Sequence, residues 1–467
     1  LVEEEKILKQ PLIILATIFV VSGLVIKSFN LAEILGRVFF AGSTLFIFYG
    51  YILKCHKKIF DKTRLVLLLA LMFAMVILAT RIITSFQMPS FVVPVAGVAM
   101  LATMLFGYEL AAVFMLCVAL TAAIIVPDGL QFLMLNLSGS LFSIYLVSHV
   151  KNRSDLNWVA FWVILLLACL GGIVSLFSRG SLFEALRNLS WGFANGLSSA
   201  ILAAGLLPII EAVFHITSDI KLLELANPNQ PILKELMIKA PGTYNHSIIT
   251  GNLAESVAEA VDANPILARV GAYYHDIGKL KRPLFFGENL MGGSGNPHDN
   301  TNPSLSYLIL AAHVKDGVEL AKEHTLPEEI INIINEHHGT SLVTYFFHRA
   351  KEREAKDEVR ETSFRYPGEK PKTKEAALIM LADSVEAAVR AITKSSAGRL
   401  EQMIKKVVQV KLEDGQLDDS SLTFGDLNKI IKIFAQVLTS IYHTRIEYPE
   451  TAVALKRGLV LNGSSDK

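Results

Sequence analysis

Residues 268–283, "ARVGAYYHDIGKLKRP", set His275 beside Asp276 at the end of an apolar stretch and follow them with Gly278 and the cations Lys279, Lys281 and Arg282. Nine of the twelve histidines fall between positions 246 and 443. Five of these, His246, His275, His313, His337 and His338, end or interrupt apolar helical faces, and Asp383 does the same on a further helix. A single histidine in such a place is ordinarily a hydrogen-bonded core residue. A group of this size is different, because a buried polar group without a partner costs several kcal/mol. A pair of divalent cations supplies the compensating charge, and imidazole with carboxylate suits Mn, Fe, Co or Zn and disfavours Ca. Neighbours on a helix diverge by about 100°, so His275 can cap one ion while the two oxygens of Asp276 bridge a pair. Two close ions bind a phosphate and bring the pKa of a bridging water toward neutrality. The cations just beyond would neutralise an anionic substrate. This is the chemistry of a phosphohydrolase.

The elements that must position these residues are helical. In "NPILARVGAYYHDIG", Asn264 is a natural N-cap, Pro265 suits the first helical position and Gly278 marks the stop. "LPEEIINIINEHHG" repeats the design between Pro327 and Gly339. Further helices are expected at about 243–261, 303–323, 373–396, 401–412 and 424–442, and no alternating strand pattern competes with them. The charge run 349–366 reads as a solvated helix or loop without chemistry of its own. The Gly/Asn/Pro-rich segment 286–303 reads as a loop passing close to the working face.

The rest of the chain is of another kind. Mean hydropathy over the 467 residues is +0.44 with 19% charged residues, too apolar for an all-soluble protein. Apolar runs of bilayer-crossing length lie at about 11–29, 35–54, 64–84, 90–106, 108–126, 130–149, 157–177 and 189–213, which predicts eight spans. The first, with uninterrupted apolar or small residues only from Leu12 to Ile26, also reads as a signal-anchor. Lys54, Lys57, Lys58, Lys62 and Arg64 in one short loop, and Lys151 and Arg153 in another, place both loops in the cytoplasm. Eight spans then leave both termini and the soluble half cytoplasmic, with Arg81 and the Arg179–Arg187 loop outside. Arg37 and Glu109 sit near span ends, so no ion pathway is visible and a transporter is excluded in favour of signal reception or anchoring. A net charge of +1 gives no basis for a nucleic-acid polymer as partner. Cys55, Cys117 and Cys169 lack metal-type spacing and are expected to be buried thiols. Neither a P-loop nor a G-x-S-x-G motif is present.

The motifs match H…HD…D metal-dependent phosphohydrolases, the HD superfamily. Over about 35–455 the chain resembles bacterial seven-transmembrane HD-domain hydrolases, the membrane-bound cyclic di-AMP phosphodiesterases of the PgpH type. The segments "IKAPGTYNHSIITGNLAESVAEA", "NPHDNTNPSLSYLILAAHVKDGVELA", "INEHHGTSLVTYFFHRA", "RYPGEKPKTKEAALIMLADSVEAAVRA" and "LTSIYHTRIEYPE" carry the likeness. It implies an all-α protein: an N-terminal transmembrane helix and connector at 1–34, a seven-helix transmembrane domain at 35–214 and a cytoplasmic HD phosphohydrolase domain at 215–467. The extracytoplasmic domain that the family places after its first span is expected to be missing, either deleted or naturally lacking, since only a few residues separate the first two runs.

Carried across residue by residue, the resemblance implies that His246, His275, Asp276 and Asp383 hold one ion. Asp276 bridges to a second held by His313, His337 and His338, the last of which could instead orient its neighbour. Both ions are expected to be Mn²⁺ or Fe²⁺. Lys279 and Arg282 would face phosphate, with Asp276 and Lys279 acting in catalysis, and His298 and Asp299 would either face the pocket or stabilise their loop. The implied reaction is hydrolysis of cyclic di-AMP to linear pApA at the plasma membrane of a bacterium, with a homodimer compatible. Two alternatives stand beside it: another cyclic dinucleotide such as cyclic di-GMP, and a non-catalytic nucleotide-binding receptor. Against the first, the G-Y-P signature expected after the paired histidines is replaced by "GTSLVTYFF"; against the second, no ligand residue is missing.

Overall fold

The computed structural model describes residues 2–26, 30–150, 154–177, 181–290, 295–353, 359–390 and 397–441. Lys151, Arg153 and Arg179 lie outside them, as does the 442–450 part of the last family segment. The chain divides into two compact units, Leu1–Asn227 and Pro228–Lys467. This division falls after the expected 214/215 boundary because Ile220, beyond the last long apolar helix, is buried in the first unit's core.

The first unit comprises α1 (Val2–Val25), α2 (Leu31–Cys55), the short α3 (Lys57–Phe60), α4 (Thr63–Ser85), α5 (Val95–Phe106), α6 (Tyr108–Ala123), α7 (Gly129–Val147), α8 (Asp155–Phe177), α9 (Leu182–Phe214) and α10 (Asp219–Leu225). Each of the eight apolar runs is helical, but five helices, α2, α4, α7, α8 and α9, are long and apolar enough to cross a membrane. The apolar parts of the other three, Gln10–Val25, Ser90–Phe106 and Tyr108–Ala123, are shorter. Gly107 separates α5 from α6 with φ at +86°, leaving a 12-residue α5 of about 18 Å against a hydrocarbon layer of about 30 Å. The three shorter runs thus differ from the other five in length, while all eight runs read from the sequence are helical.

Helices α8 and α9 meet backbone to backbone. A Cβ on Gly192 would fall 2.1 Å from the Leu167 carbonyl oxygen, and one on Gly196 would fall 2.5 Å from Ile164 Cα. This is small-residue packing of the kind used where lipid offers no hydrophobic drive between helices. Buried Asn195 adds a polar tie, donating to the Phe91 carbonyl at 2.8 Å and accepting from Ser199 Oγ at 3.1 Å. Phe19, Phe39, Phe46 and Phe177 point outward and are largely exposed, an apolar exterior suited to lipid. Of the cysteines only Cys117 is buried, and Cys55 and Cys169 lie on exposed faces, contrary to expectation.

The second unit comprises α11 (Pro231–Lys239), α12 (Pro241–Ala258), α13 (Pro265–Tyr274), α14 (Pro303–Glu323), α15 (Glu328–Glu336), α16 (Thr344–Arg353), α17 (Lys374–Arg390), α18 (Ala397–Glu413) and α19 (Phe424–Ile441), with no strand among the described residues. Helices α11 and α16 were not foreseen. Helix α17 is the axis: Ala376 to Ala382 are buried without interruption, so the helix is apolar all round and packed between α12, α13, α15 and α18. Asp383 follows directly on that run. Asn264 caps α13, accepting from the backbone N–H groups of Ile266 and Leu267 at 2.9 and 3.1 Å. The helix ends at Tyr274, four residues before the expected stop, and the chain tightens into a 3₁₀ turn over Ile277–Lys281.

Gly278 within that turn lies against α14. A Cβ there would stand 1.9 Å from the His313 carbonyl oxygen and 2.5 Å from the Gly317 nitrogen. Since both obstacles are backbone, Gly278→Ala should push the turn off α14. The unfolding temperature of the detergent-solubilised chain should fall by several degrees, in keeping with the ~1–3 kcal/mol that overpacking costs. Gly398→Ala, where an added Cβ meets nothing within 4 Å, serves as the comparison and should change little.

Candidate metal centre

Five helical elements deliver the polar cluster. His246 comes from the second turn of α12, and His275 with Asp276 from the end of α13. His313 comes from the middle of α14, His337 and His338 from the end of α15, and Asp383 from α17. Each arrives where a helix passes or ends inside the core, so these side chains are buried, His338 partly.

The rings are oriented before any ion is considered. His275, His313 and His337 each turn Nδ1 to the carbonyl three residues earlier, Ala272 at 2.6 Å, Leu310 at 2.6 Å and Ile334 at 2.7 Å. With Nδ1 as the N–H donor, Nε2 carries the lone pair and faces inward. His246 reaches the same state through Glu386, whose Oε2 accepts from Nδ1 at 2.5 Å.

The two oxygens of Asp276 divide these nitrogens. Oδ2 faces His275 Nε2 at 3.2 Å and His246 Nε2 at 3.7 Å, and Oδ1 faces His313 Nε2 at 3.4 Å and His337 Nε2 at 3.8 Å. Asp383 closes both sides, with Oδ1 at 3.0 Å from His246 Nε2 and Oδ2 at 3.6 Å from His338 Nδ1. Two donors each about 2.1 Å from a shared ion stand roughly 3.0–3.4 Å apart; the contacts of 3.0, 3.2 and 3.4 Å fall in that range, and those of 3.6, 3.7 and 3.8 Å lie a little beyond it. Two groups of potential ligands result: Asp276, His313, His337 and His338 in one, and His246, His275 and Asp383 in the other. His275 Nε2 and Asp276 Oδ1 are buried without a hydrogen-bond partner, which a cation would satisfy.

Charge follows from burial and pairing. Burial lowers the pKa of His313 and of His338, and pushes His337 down to about 3, so these rings stay neutral and ready to ligate. Burial would raise Asp276, but His275, Lys279 and His313 outweigh it and hold the carboxyl well below the usual range. Asp383 is held low likewise, against burial, chiefly by its hydrogen bond with His246. For His246 itself, burial works downward, yet Asp383 and Glu386 bring it up to about 10. That pair of carboxylates favours positive charge at the ring, whether a proton or a metal carries it. Lys279 Nζ lies 2.6 Å from Asp276 Oδ2 and 2.8 Å from Glu288 Oε1, and these two acids raise its pKa despite its burial.

The other expected residues fare differently. Arg282 turns away to Asp316 on α14 at 3.0 Å, and Lys281 to Glu319 at 3.0 Å. The expectation that Arg282 faces phosphate is therefore corrected, since an acid outside the cluster already matches its charge. His298 Nε2 donates to the Phe285 carbonyl oxygen at 2.9 Å, and Arg349 donates to the backbone carbonyls of His298 and Asp299. Both residues thus stabilise the loop. That loop nevertheless brings Glu288 to Lys279, where Thr243 Oγ1 donates to the same carboxylate at 3.2 Å. Glu386 and Tyr366 went unnoticed. Glu386 follows Asp383 by one helical turn on an apolar helix, a readable signal; Tyr366, stacked on His338 at 4.2 Å between ring centres, left none.

Both units of the chain resemble known proteins. Residues 31–218 match the family described as "7TM receptor with intracellular HD hydrolase", and residues 243–388 match the HD domain. The chain is 35% identical over 453 residues to the cyclic-di-AMP phosphodiesterase PgpH of Bacillus subtilis, covering 93% of this chain and 63% of that one. It is 37% identical to the PgpH of Listeria monocytogenes over 367 residues, covering 77% and 50%. It thus spans between half and two thirds of the length of these relatives. The crystal structure of the L. monocytogenes PgpH HD domain in complex with cyclic di-AMP aligns with 46% of this chain and 100% of that one at 44% identity, with a TM-score of 0.45. An HD domain implies divalent metal binding, and the cluster supplies donors for it.

Glu386 should matter to that binding without touching an ion. Glu386→Ala leaves His246 Nδ1–H without its acceptor and frees the ring to turn or change tautomer. Metal affinity should fall about 10- to 100-fold, read as bound metal against a graded chelator. Parental retention of metal would show that Glu386 does not set the ring.

Proposed function

We propose that this chain, whose two parts match the seven-transmembrane HD family model and the HD domain, is a membrane-bound phosphodiesterase that hydrolyses cyclic di-AMP to linear pApA. The observation that carries the reading is the division of Asp276, one oxygen toward His246 and His275 and the other toward His313 and His337. Such a carboxylate suits a pair of ions, which we take to be Mn²⁺ or Fe²⁺. His246, His275 and Asp383 would hold one, and His313, His337 and His338 the other, with Asp276 shared. When bound, such a pair lowers the pKa of water toward neutrality and neutralises phosphoryl charge. The names of the two curated relatives support cyclic di-AMP as the substrate.

The chain's own residues have distinct tasks in this reading. The carbonyl-anchored histidines fix donor positions, so little reorganisation accompanies the reaction. With Asp276 serving as a metal ligand, the Lys279 ammonium would still be held by Glu288 and would offer positive charge to the non-bridging oxygens of the phosphodiester. Burial of the cluster keeps bulk water from screening these charges.

We place the protein in the bacterial plasma membrane with the HD domain cytoplasmic, where a nucleotide second messenger is found. The support is the basic loop from Lys54 to Arg64. In a background lacking Cys55, Cys117 and Cys169, a cysteine at position 62 should react with an impermeant reagent only after the membrane is opened. Labelling of intact cells would reverse the topology.

The activity is tested on the detergent-solubilised full chain supplied with Mn²⁺ or Fe²⁺. Cyclic di-AMP should be turned over in preference to cyclic di-GMP. Asp276→Asn should lose metal and slow hydrolysis by at least ~10³, about 4 kcal/mol of barrier, while circular dichroism still reports the parental helix content. Near-parental turnover with an unchanged metal content would sink the assignment of Asp276.

A further inference from the structure

Lys411 on α18 is an amine with an unusual set of neighbours. Its Nζ donates to Ser341 Oγ at 2.8 Å, and Ser341 lies three residues beyond His338. The backbone carbonyl of Ser341 accepts from the Tyr366 N–H at 3.0 Å, and the Tyr366 ring stacks on His338 at 4.2 Å. Lys411 therefore stands on the His338 and Tyr366 flank of the cluster, whereas Lys279 stands on the Asp276 and Glu288 flank.

The carboxylates nearest Lys411 are committed elsewhere. Asp414 is taken by Arg365, with oxygens at 2.7 and 3.1 Å from the guanidinium. Asp383 faces His246 at 3.0 Å. Among the described residues no carboxylate stands within 4 Å of Lys411 Nζ. Burial consequently lowers its pKa, against the weaker pull of Asp383 and Asp414. An ammonium with two unused donors and no counter-ion, beside a phosphodiesterase centre, is a place for an anion.

We propose that Lys411 binds the second phosphate of a cyclic dinucleotide, the one not undergoing hydrolysis, while Lys279 serves the first. This rests on the phosphodiesterase reading above. A cyclic dinucleotide carries two phosphodiesters in one ring, so the unreacting one must find a partner when the other enters the centre. A second cation bordering the cluster, separate from Lys279, meets that need, and it selects two-phosphate rings over simple diesters.

The test compares the metal-loaded full chain in detergent with Lys411→Gln and Lys411→Arg, using cyclic di-AMP and the one-phosphate diester bis(p-nitrophenyl) phosphate. For Lys411→Gln, KM for cyclic di-AMP should rise about tenfold relative to KM for the diester, equivalent to ~1.4 kcal/mol. The kcat for cyclic di-AMP should change about twofold or less. Lys411→Arg should restore most of the difference, and bound metal and unfolding temperature should stay parental in both. Equal movement of the two KM values, or movement of neither, overturns the role of Lys411 while leaving the phosphodiesterase reading intact. A parent that cleaves the simple diester but not cyclic di-AMP overturns that reading and the second-phosphate site with it.

Discussion

Asp276 is 1% exposed, and its two oxygens confront four imidazole nitrogens within 3.8 Å. A carboxylate so placed cannot stay ionised in an apolar core without positive charge on both sides. Much of the second unit follows from that constraint. Helix α12 brings one histidine, α14 another and α15 a pair, and α17 ends its buried run on a second carboxylate. The close seat of Gly278 on α14 brings the Asp276 turn within reach of His313. The centre and the hydrophobic core are thus one packing problem, solved around a single acid.

How far this was legible depends on the kind of signal. His275, Asp276 and Asp383 were readable because polar residues at the ends of apolar runs contradict the pattern around them. Helix α14 was expected over its observed residues, since Pro303 and the preceding Asn302 mark its start and the amphipathic period carries it to Glu323. Helices α11 and α16, of nine and ten residues, escaped because so few turns carry little periodicity and neither is followed by the glycine stop that marked α13 and α15. Arg282 misled for a different reason. Proximity in sequence to the HD pair suggested a shared task, whereas the 3₁₀ turn delivers Lys279 to the cluster and leaves Arg282 to Asp316. Glu386 and Tyr366 depend on tertiary approach, the latter from a segment read as featureless.

In the first unit the apolar pattern located eight helices but not the short α3 and α10. A run of hydrophobic residues records burial in lipid or protein alike, and a glycine in the left-handed region can split it without altering its hydropathy. Gly107 does so between α5 and α6. Glycine also sets the contact between α8 and α9, where missing side chains rather than added ones hold the helices together.

Three of the histidines tie Nδ1 to a carbonyl of their own polypeptide turn, three residues back. The aim of each lone pair is therefore decided locally, as the chain folds, and not by the arriving ion. In a zinc finger the metal gathers ligands that were scattered, so losing it unravels the domain. Here the three rings are held by backbone carbonyls, so their aim does not depend on an ion to gather them. A socket of that kind does little to discriminate among first-row metals of similar size, whose intrinsic affinities follow their own series. The choice of element then lies with the intrinsic affinities of the ions and not with the shape of the socket.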